Sequence, residues 1–211
     1  EVYTGTARNA DCATYCEKII NSNQFQLDDV YQDIFLADNN SSPEIIFPIA
    51  FDGTKTKTWG GMTFMVHAPV GGKMNPAEFG INGGWGGLRT TQQFVDHFDD
   101  KSGKTDSRAM FFTDGQNKEV ADISAFTDGY AITKYKNVTS TGVKGSDSEG
   151  NFPDTDFPMF RLADVYLMYA EAVLRGGSGG DLTTALQYVN ALRARAYNGA
   201  QGNVSLLNLD L

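Results

Sequence analysis

Between Phe160 and Ala196 two apolar stripes at helical spacing flank a glycine-rich break, and no other stretch constrains the fold as much. In the first stripe Leu162, Val165, Tyr166, Tyr169, Ala170 and Val173 recur at intervals that place them on one helix face. Gly176 to Gly180 (GGSGG) ends that helix, and Asp181 stands where an N-cap is needed. The second stripe runs through Ala185, Leu186, Val189, Leu192 and Ala196, with Arg193 and Arg195 near the helix end that favours positive charge. Two amphipathic helices joined by a short glycine loop make an αα-hairpin over 160–197. Small residues at Ala163, Ala170 and Ala172 let the helices approach closely.

The rest of the chain is less regular. A short helix capped by Asp11 is expected, with Tyr15, Cys16, Ile19 and Ile20 on one face and a stop at Asn-Ser-Asn, 21–23. Residues 24–58 read as loop with extended pieces, and Ile45 to Phe47 before Pro48 as a buried strand-like segment. From Trp59 to Gly87 glycines are too dense for long regular elements (WGGM, PVGGKMNP, FGINGGWGGL). Helical spacing returns over Thr90 to Phe98, two short strands are expected within 108–137, and 139–154 is a Ser/Gly/Asp loop. Asp154-Thr155-Asp156 reads as a cap and turn ahead of the long helix. The expected class is mainly α, with a helix hairpin and a large loop-rich insertion bearing short strands.

Composition excludes some functions. Lys and Arg total 17 against 26 Asp and Glu, a net charge of −9, and no basic cluster offers a local exception, so nucleic-acid binding is disfavoured. The two cysteines, Cys12 and Cys16, have no further Cys and no nearby His to complete a zinc shell, and two partly buried thiols are expected rather than a disulfide. The redox compartment stays open. His67 and His97 lie near neither a G-x-S-x-G elbow nor an H-E-x-x-H helix, and GGSGGD lacks the Lys-Ser/Thr of a phosphate loop, so no catalytic motif is present. Twenty-six acids supply many carboxylate pairs, so composition alone does not remove a glycosidase.

Aromatic residues make up 12% of the chain and raise a different function. A sugar ring packs its axial C–H bonds on a flat aromatic face while its hydroxyls pair with amides, carboxylates and guanidinium groups. Trp85 stands between Gly83-Gly84 and Gly86-Gly87 with Asn82 and Arg89 near it. Those glycines either present the indole outward or let it tuck into a tight turn as a core plug. Trp59, in KTKTWGGM, has the same two readings, while Phe64, His67 and Asn75 in the same zone read as structural.

The segment at 154–196, DTDFPMFRLADVYLMYAEAVLRGG followed by ALQYVNALRARA, resembles the SusD/RagB family of outer-membrane lipoproteins. EVYTGTAR, YCEKIINSNQFQL, SPEIIFPIAF and INGGWGGLRTTQQFVDHF fit the same family in order, so the likeness covers nearly the whole chain. The resemblance implies residues 1–211 are one SusD-like C-terminal region, a fragment lacking the TPR-like N-terminal helix pairs, the lipidated cysteine and the last family helix. The hairpin would then be one TPR-type unit. The family implies non-catalytic binding of oligosaccharide or polysaccharide at the cell surface, first of all starch or another α-glucan, beside a SusC-like TonB-dependent transporter. It also places a ligand-stacking Trp near Trp85. Some relatives bind a structural calcium, for which Asp38 and Asp210 are the matching oxygen donors here; no other cofactor is expected. The alternatives are a TPR-like interaction scaffold without a glycan site and, behind it, a glycoside hydrolase.

Overall fold

Helix α1 (Asn9–Asn21) starts two residues before Asp11, so Asp11 is not its cap. The acid sits in the first turn, where the helix dipole favours it, and accepts a hydrogen bond from Arg8 Nε at 2.6 Å. The structure, a computed structural model, describes residues 5–205. After α1 come β1 (Ile45–Ile49), α2 (Met62–His67), α3 (Gln92–Asp96), β2 (Phe111–Phe112), β3 (Ala131–Ile132), β4 (Phe157–Arg161), α4 (Leu162–Leu174) and α5 (Leu182–Ala196), with three 3-10 turns between them and a fourth after α5 among the described residues. Helix outweighs strand, and β1 pairs with β4 while β2 pairs antiparallel with β3 in the register Phe111 to Ile132. No described helix is long and apolar enough to cross a membrane.

The chain divides into two compact units. The first takes the chain through Asp29, Pro43–Phe47, and the described residues from Met159 onward. Here the predicted hairpin α4–α5 forms as read, with Asp181 accepting from the Thr184 N–H at 2.9 Å. What periodicity did not reveal is that α1 completes the layer. Ala13 and Cys16 bury with Leu162, Val165, Tyr169, Ala170 and Val173 in one core. Tyr15 faces solvent rather than joining Cys16, Ile19 and Ile20 on the packed face. Tyr166 stacks on Tyr188 at 4.3 Å, and Tyr169 meets Tyr188 edge-on at 5.3 Å. The buried alanines bring backbones close, and the rings fill the space between.

One carboxylate ties the ends of this layer together. Glu44 is fully buried, and Arg161 Nη1 reaches its Oε1 at 3.0 Å. Arg195 Nη1 pairs with its Oε2, the same oxygen that accepts from the Asp28 N–H at 3.0 Å. The Glu44 carbonyl accepts from the first N–H of α4, Leu162, at 2.9 Å. Arg195, expected merely to favour the helix dipole, is therefore half of a buried ionic clamp. Such a group is stable only while every charge is paired.

The second unit, Val30–Ser42 with Pro48–Pro158, contains short elements and long loops. Ile45 and Ile46 are half-buried but Phe47 and Ile49 of β1 are exposed, so the expected buried strand lies at the surface. Asp154 and Asp156 are not a helix cap either. The Asp154 carboxylate takes the N–H groups of Gly53 (2.7 Å) and Ser146 (2.6 Å), and Asp156 takes that of Phe51 (2.7 Å). Helix α4 is capped instead by Asp164, which accepts from the Arg161 N–H at 3.0 Å. Two buried amides do the same work. Asn39 donates to the carbonyls of Ile34 and Asp156 and accepts from the Asp156 N–H, and Asn137 donates to the Gly80 carbonyl and accepts from the Asp154 N–H.

Both cysteines are free, Cys16 buried and Cys12 half-buried. Burial, then the neighbouring Cys12, pushes the Cys16 thiol up to about 12. At about pH 8 a thiol-disulfide reagent is expected to titrate Cys12 in the native protein and Cys16 only once urea is added; absorbance of the released thiolate counts both. Glu44→Gln, which removes the buried anion that Arg161 and Arg195 share, is expected to cost about 3 kcal/mol in urea unfolding.

Candidate glycan-stacking platform

Trp85 is positioned by a main-chain zipper. Its N–H donates to the His67 carbonyl at 3.0 Å, Gly86 N–H to Val70 at 2.9 Å, and Gly87 and Leu88 both to Ala68 at 2.8 and 2.9 Å. The zipper draws the 84–88 segment so close to the end of α2 that a Cβ on Gly84 would lie 2.1 Å from the Val70 carbonyl oxygen. The glycines thus serve both readings of the sequence at once: they permit a tight backbone approach, and the indole stays out, 44% exposed.

Trp59 joins it from another loop. Its ring is 60% exposed and lies 6.4 Å from that of Trp85, tilted by 45°. Gly61, at φ +56° between Trp59 and α2, turns the chain where an added Cβ would meet the Phe51 ring at 2.7 Å. Phe64, also 44% exposed, packs 6.1 Å from Trp85 at 55°, and Phe152 lies 5.0 Å from Trp59 at 51°. Four rings from three segments thus form a continuous, faceted aromatic surface. Phe64, read as structural, belongs to it, and Phe152 carried no sequence signal because its loop lies 67 residues beyond Trp85.

Beneath the surface is His67. Its imidazole is 1% exposed and stacks on the Trp85 indole at 5.1 Å and 23°. Nδ1 faces the Gly83 carbonyl at 2.7 Å and Nε2 the Asn151 carbonyl at 2.9 Å. At the rim, exposed Asn82 donates through Nδ2 to Asn151 Oδ1 at 2.7 Å, and Asn151 Nδ2 donates to Glu149 Oε2 at 3.0 Å. Asp147, buried nearby in sequence, accepts from the N–H groups of Asn151 and Phe152. Burial opposes its ionisation, yet those donors with that of Glu149 hold its carboxyl below the ordinary range.

Arg89 does not stand free beside Trp85. Its guanidinium donates to the carbonyls of Ala125, Asp128 (2.7 Å) and Ile123 (2.7 Å), which assigns it to holding the 123–128 loop. Asn75 caps a 3-10 turn by accepting from the Ala77 N–H. The Asp38 carboxylate is engaged by the N–H and hydroxyl of Ser140 at 2.7 to 3.1 Å. Among the described residues no three His, Cys, Asp or Glu side chains gather as a metal would require, and Asp210 lies outside the described residues.

The arrangement offers flat apolar faces side by side with amide and carboxylate partners along one edge, the chemistry a pyranose chain needs. A glycosidase acid would instead need a carboxyl raised toward neutrality in the cleft. Asp147 is displaced the opposite way, and Asp156, which burial raises, is sealed against the Phe51 N–H.

Comparison with known proteins shows what the chain is similar to. The SusD family profile matches residues 113–201. The starch-binding protein SusD of Bacteroides thetaiotaomicron is 34% identical over 92% of this chain. Surface glycan-binding protein A of the same organism, solved in complex with laminarihexaose, superposes with a TM-score of 0.68 at 21% identity over 94% of the chain. A SusD superfamily protein from Parabacteroides distasonis gives 0.65 at 23% identity over 95%. The chain spans 42% of the length of SusD and 44% and 41% of those two structures.

Gly84→Ala is expected to destabilise the protein by about 1–3 kcal/mol, the scale of an overpacked contact, and to displace Trp85. Urea unfolding and the shift of indole emission measure the two effects.

Proposed function

The chain belongs to the SusD family, and from that premise we propose that it binds oligosaccharide on an open aromatic platform, without cleaving it, within a longer cell-surface protein. The observation that carries this reading is the solvent exposure of Trp59, Trp85 and Phe64 in one patch beside the Asn82–Asn151–Glu149 rim. Large rings left in water cost hydrophobic stabilisation, and a contiguous exposed patch is a mark of ligand contact.

An α-glucan is the proposed ligand. The support is the 34% identity to a protein named for starch binding, together with rings tilted by 45° to 55°, which suits a curving chain better than a flat one. The parent protein is proposed to be lipid-anchored on the outer membrane and to deliver its glycan to a SusC-like TonB-dependent transporter, on the strength of family membership alone.

Affinity gels containing α-glucans, fructans or host glycans test the ligand class. Retardation by α-glucan is expected, and release of shortened saccharides on incubation would overturn the reading. Trp85→Ala is expected to weaken binding by about 1–3 kcal/mol, roughly 5- to 150-fold, with the fold retained; an unchanged dissociation constant removes Trp85 from the site.

A further inference from the structure

We propose that His67 is the positioning residue of the platform and carries a proton on both ring nitrogens, clamping the Trp85 loop to the Asn151–Phe152 loop from beneath the indole. The assignment rests on the binding reading only for its consequence, since the clamp itself is a matter of geometry.

Both ring nitrogens of His67 face carbonyl oxygens, Gly83 at 2.7 Å and Asn151 at 2.9 Å. A carbonyl only accepts, and a neutral imidazole has one N–H. In either neutral tautomer a ring lone pair points at a carbonyl lone pair, and one of the two part-buried carbonyls loses the ring as its donor. Among the described hydrogen bonds neither carbonyl has another donor. The imidazolium satisfies both. Burial of that cation is offset by the two carbonyls and by the indole face of Trp85 stacked on it at 5.1 Å.

The surroundings bear on the charge. Helix α2 and the segments 68–71 and 81–87 hold no other ionisable side chain. The 144–152 loop brings two acids, Asp147 and Glu149, and one cation, Lys144, whose Nζ donates to the Ser148 carbonyl at 2.9 Å. Lys57, in the segment before Trp59, acts on Asp147. The ionised acids favour the doubly protonated ring, and the two lysines oppose it.

The clamp has a mechanical consequence. Gly83 leads directly into Trp85, and Asn151 precedes Phe152, the neighbour of Trp59. One imidazolium therefore ties the Trp85 loop to the loop whose Phe152 ring packs against Trp59. Loss of its second proton frees one loop, and the spacing of the two indoles is no longer held. Imidazole changes charge near neutral pH more readily than any other side chain, so platform order becomes a function of pH.

Three measurements test this. Two-bond proton–nitrogen correlation spectra of the unsubstituted protein resolve both histidines, with exposed His97 as the internal reference; His67 is expected to show two protonated nitrogens at about pH 6. A neutral tautomer there overturns the proposal. Trp85 emission, read in a Trp59→Phe background, is expected to rise from about pH 5 to about pH 9 as the quenching imidazolium is lost, and to stay flat in His67→Gln. A flat profile with His67 intact overturns it. Affinity for soluble maltoheptaose is expected to fall about tenfold over that span, the scale of one charge-assisted hydrogen bond, and to be independent of pH in His67→Gln; a wild-type affinity that does not vary with pH overturns the positioning role. Protonation and emission as expected, with no glycan bound at any pH, defeat the proposed function and leave the His67 assignment standing.

Discussion

A loop-built unit must satisfy its buried backbone groups without the repeating ladders of helix or sheet, and in this chain side-chain amides and carboxylates do it. Asn39, Asn137, Asp154 and Asp156 each bond to main-chain groups distant in sequence, and Asp147 ties the main chain of its own loop. Each bond adds little net stability, but leaving such a group unpaired costs far more. The high Asn and Asp content of the loops is therefore architectural. The same economy governs the platform, since His67 and Asn151 carry the loops on which the rings stand.

The helical unit solves a different problem. Its three helices bury apolar faces in the ordinary way, yet their ends converge on a carboxylate with no access to water. Glu44 pairs with Arg161 from the start of α4 and Arg195 from the end of α5, while its main chain meets Leu162. A buried ion pair is no stronger than a good apolar contact of equal volume. Removing one partner costs much more, because it leaves a charge stranded away from water.

The platform shows why exposed aromatics need a built support. A free indole on a flexible loop would lose conformational freedom on meeting a ligand, and that loss would weaken binding. Here the zipper from His67 to Leu88, the stacked imidazole and the neighbouring rings hold Trp85 before any ligand arrives. Glycine enters where the backbone of 84–88 comes within contact of 67–70, a closeness that any side chain at Gly84 would prevent.

Local sequence pattern determined the hairpin α4–α5 and the Asp181 cap, because each depends on residues within a few positions of one another; the strands β2 and β3 were legible as short elements, but not their pairing, which joins Phe111 to Ile132. The strength of Trp85 as a candidate was likewise legible from its glycine frame. Tertiary structure decided the rest. It sent α1 onto α4 across about 150 residues, made Asp154 and Asp156 loop ties instead of a cap, and turned Arg89 toward the 123–128 loop. It also gathered Trp59, Phe64, Trp85 and Phe152 into one surface with His67 beneath. Contacts of that kind have no period along the chain: whether a ring is buried or presented depends on which distant backbone passes beside it, and only the folded arrangement holds that information.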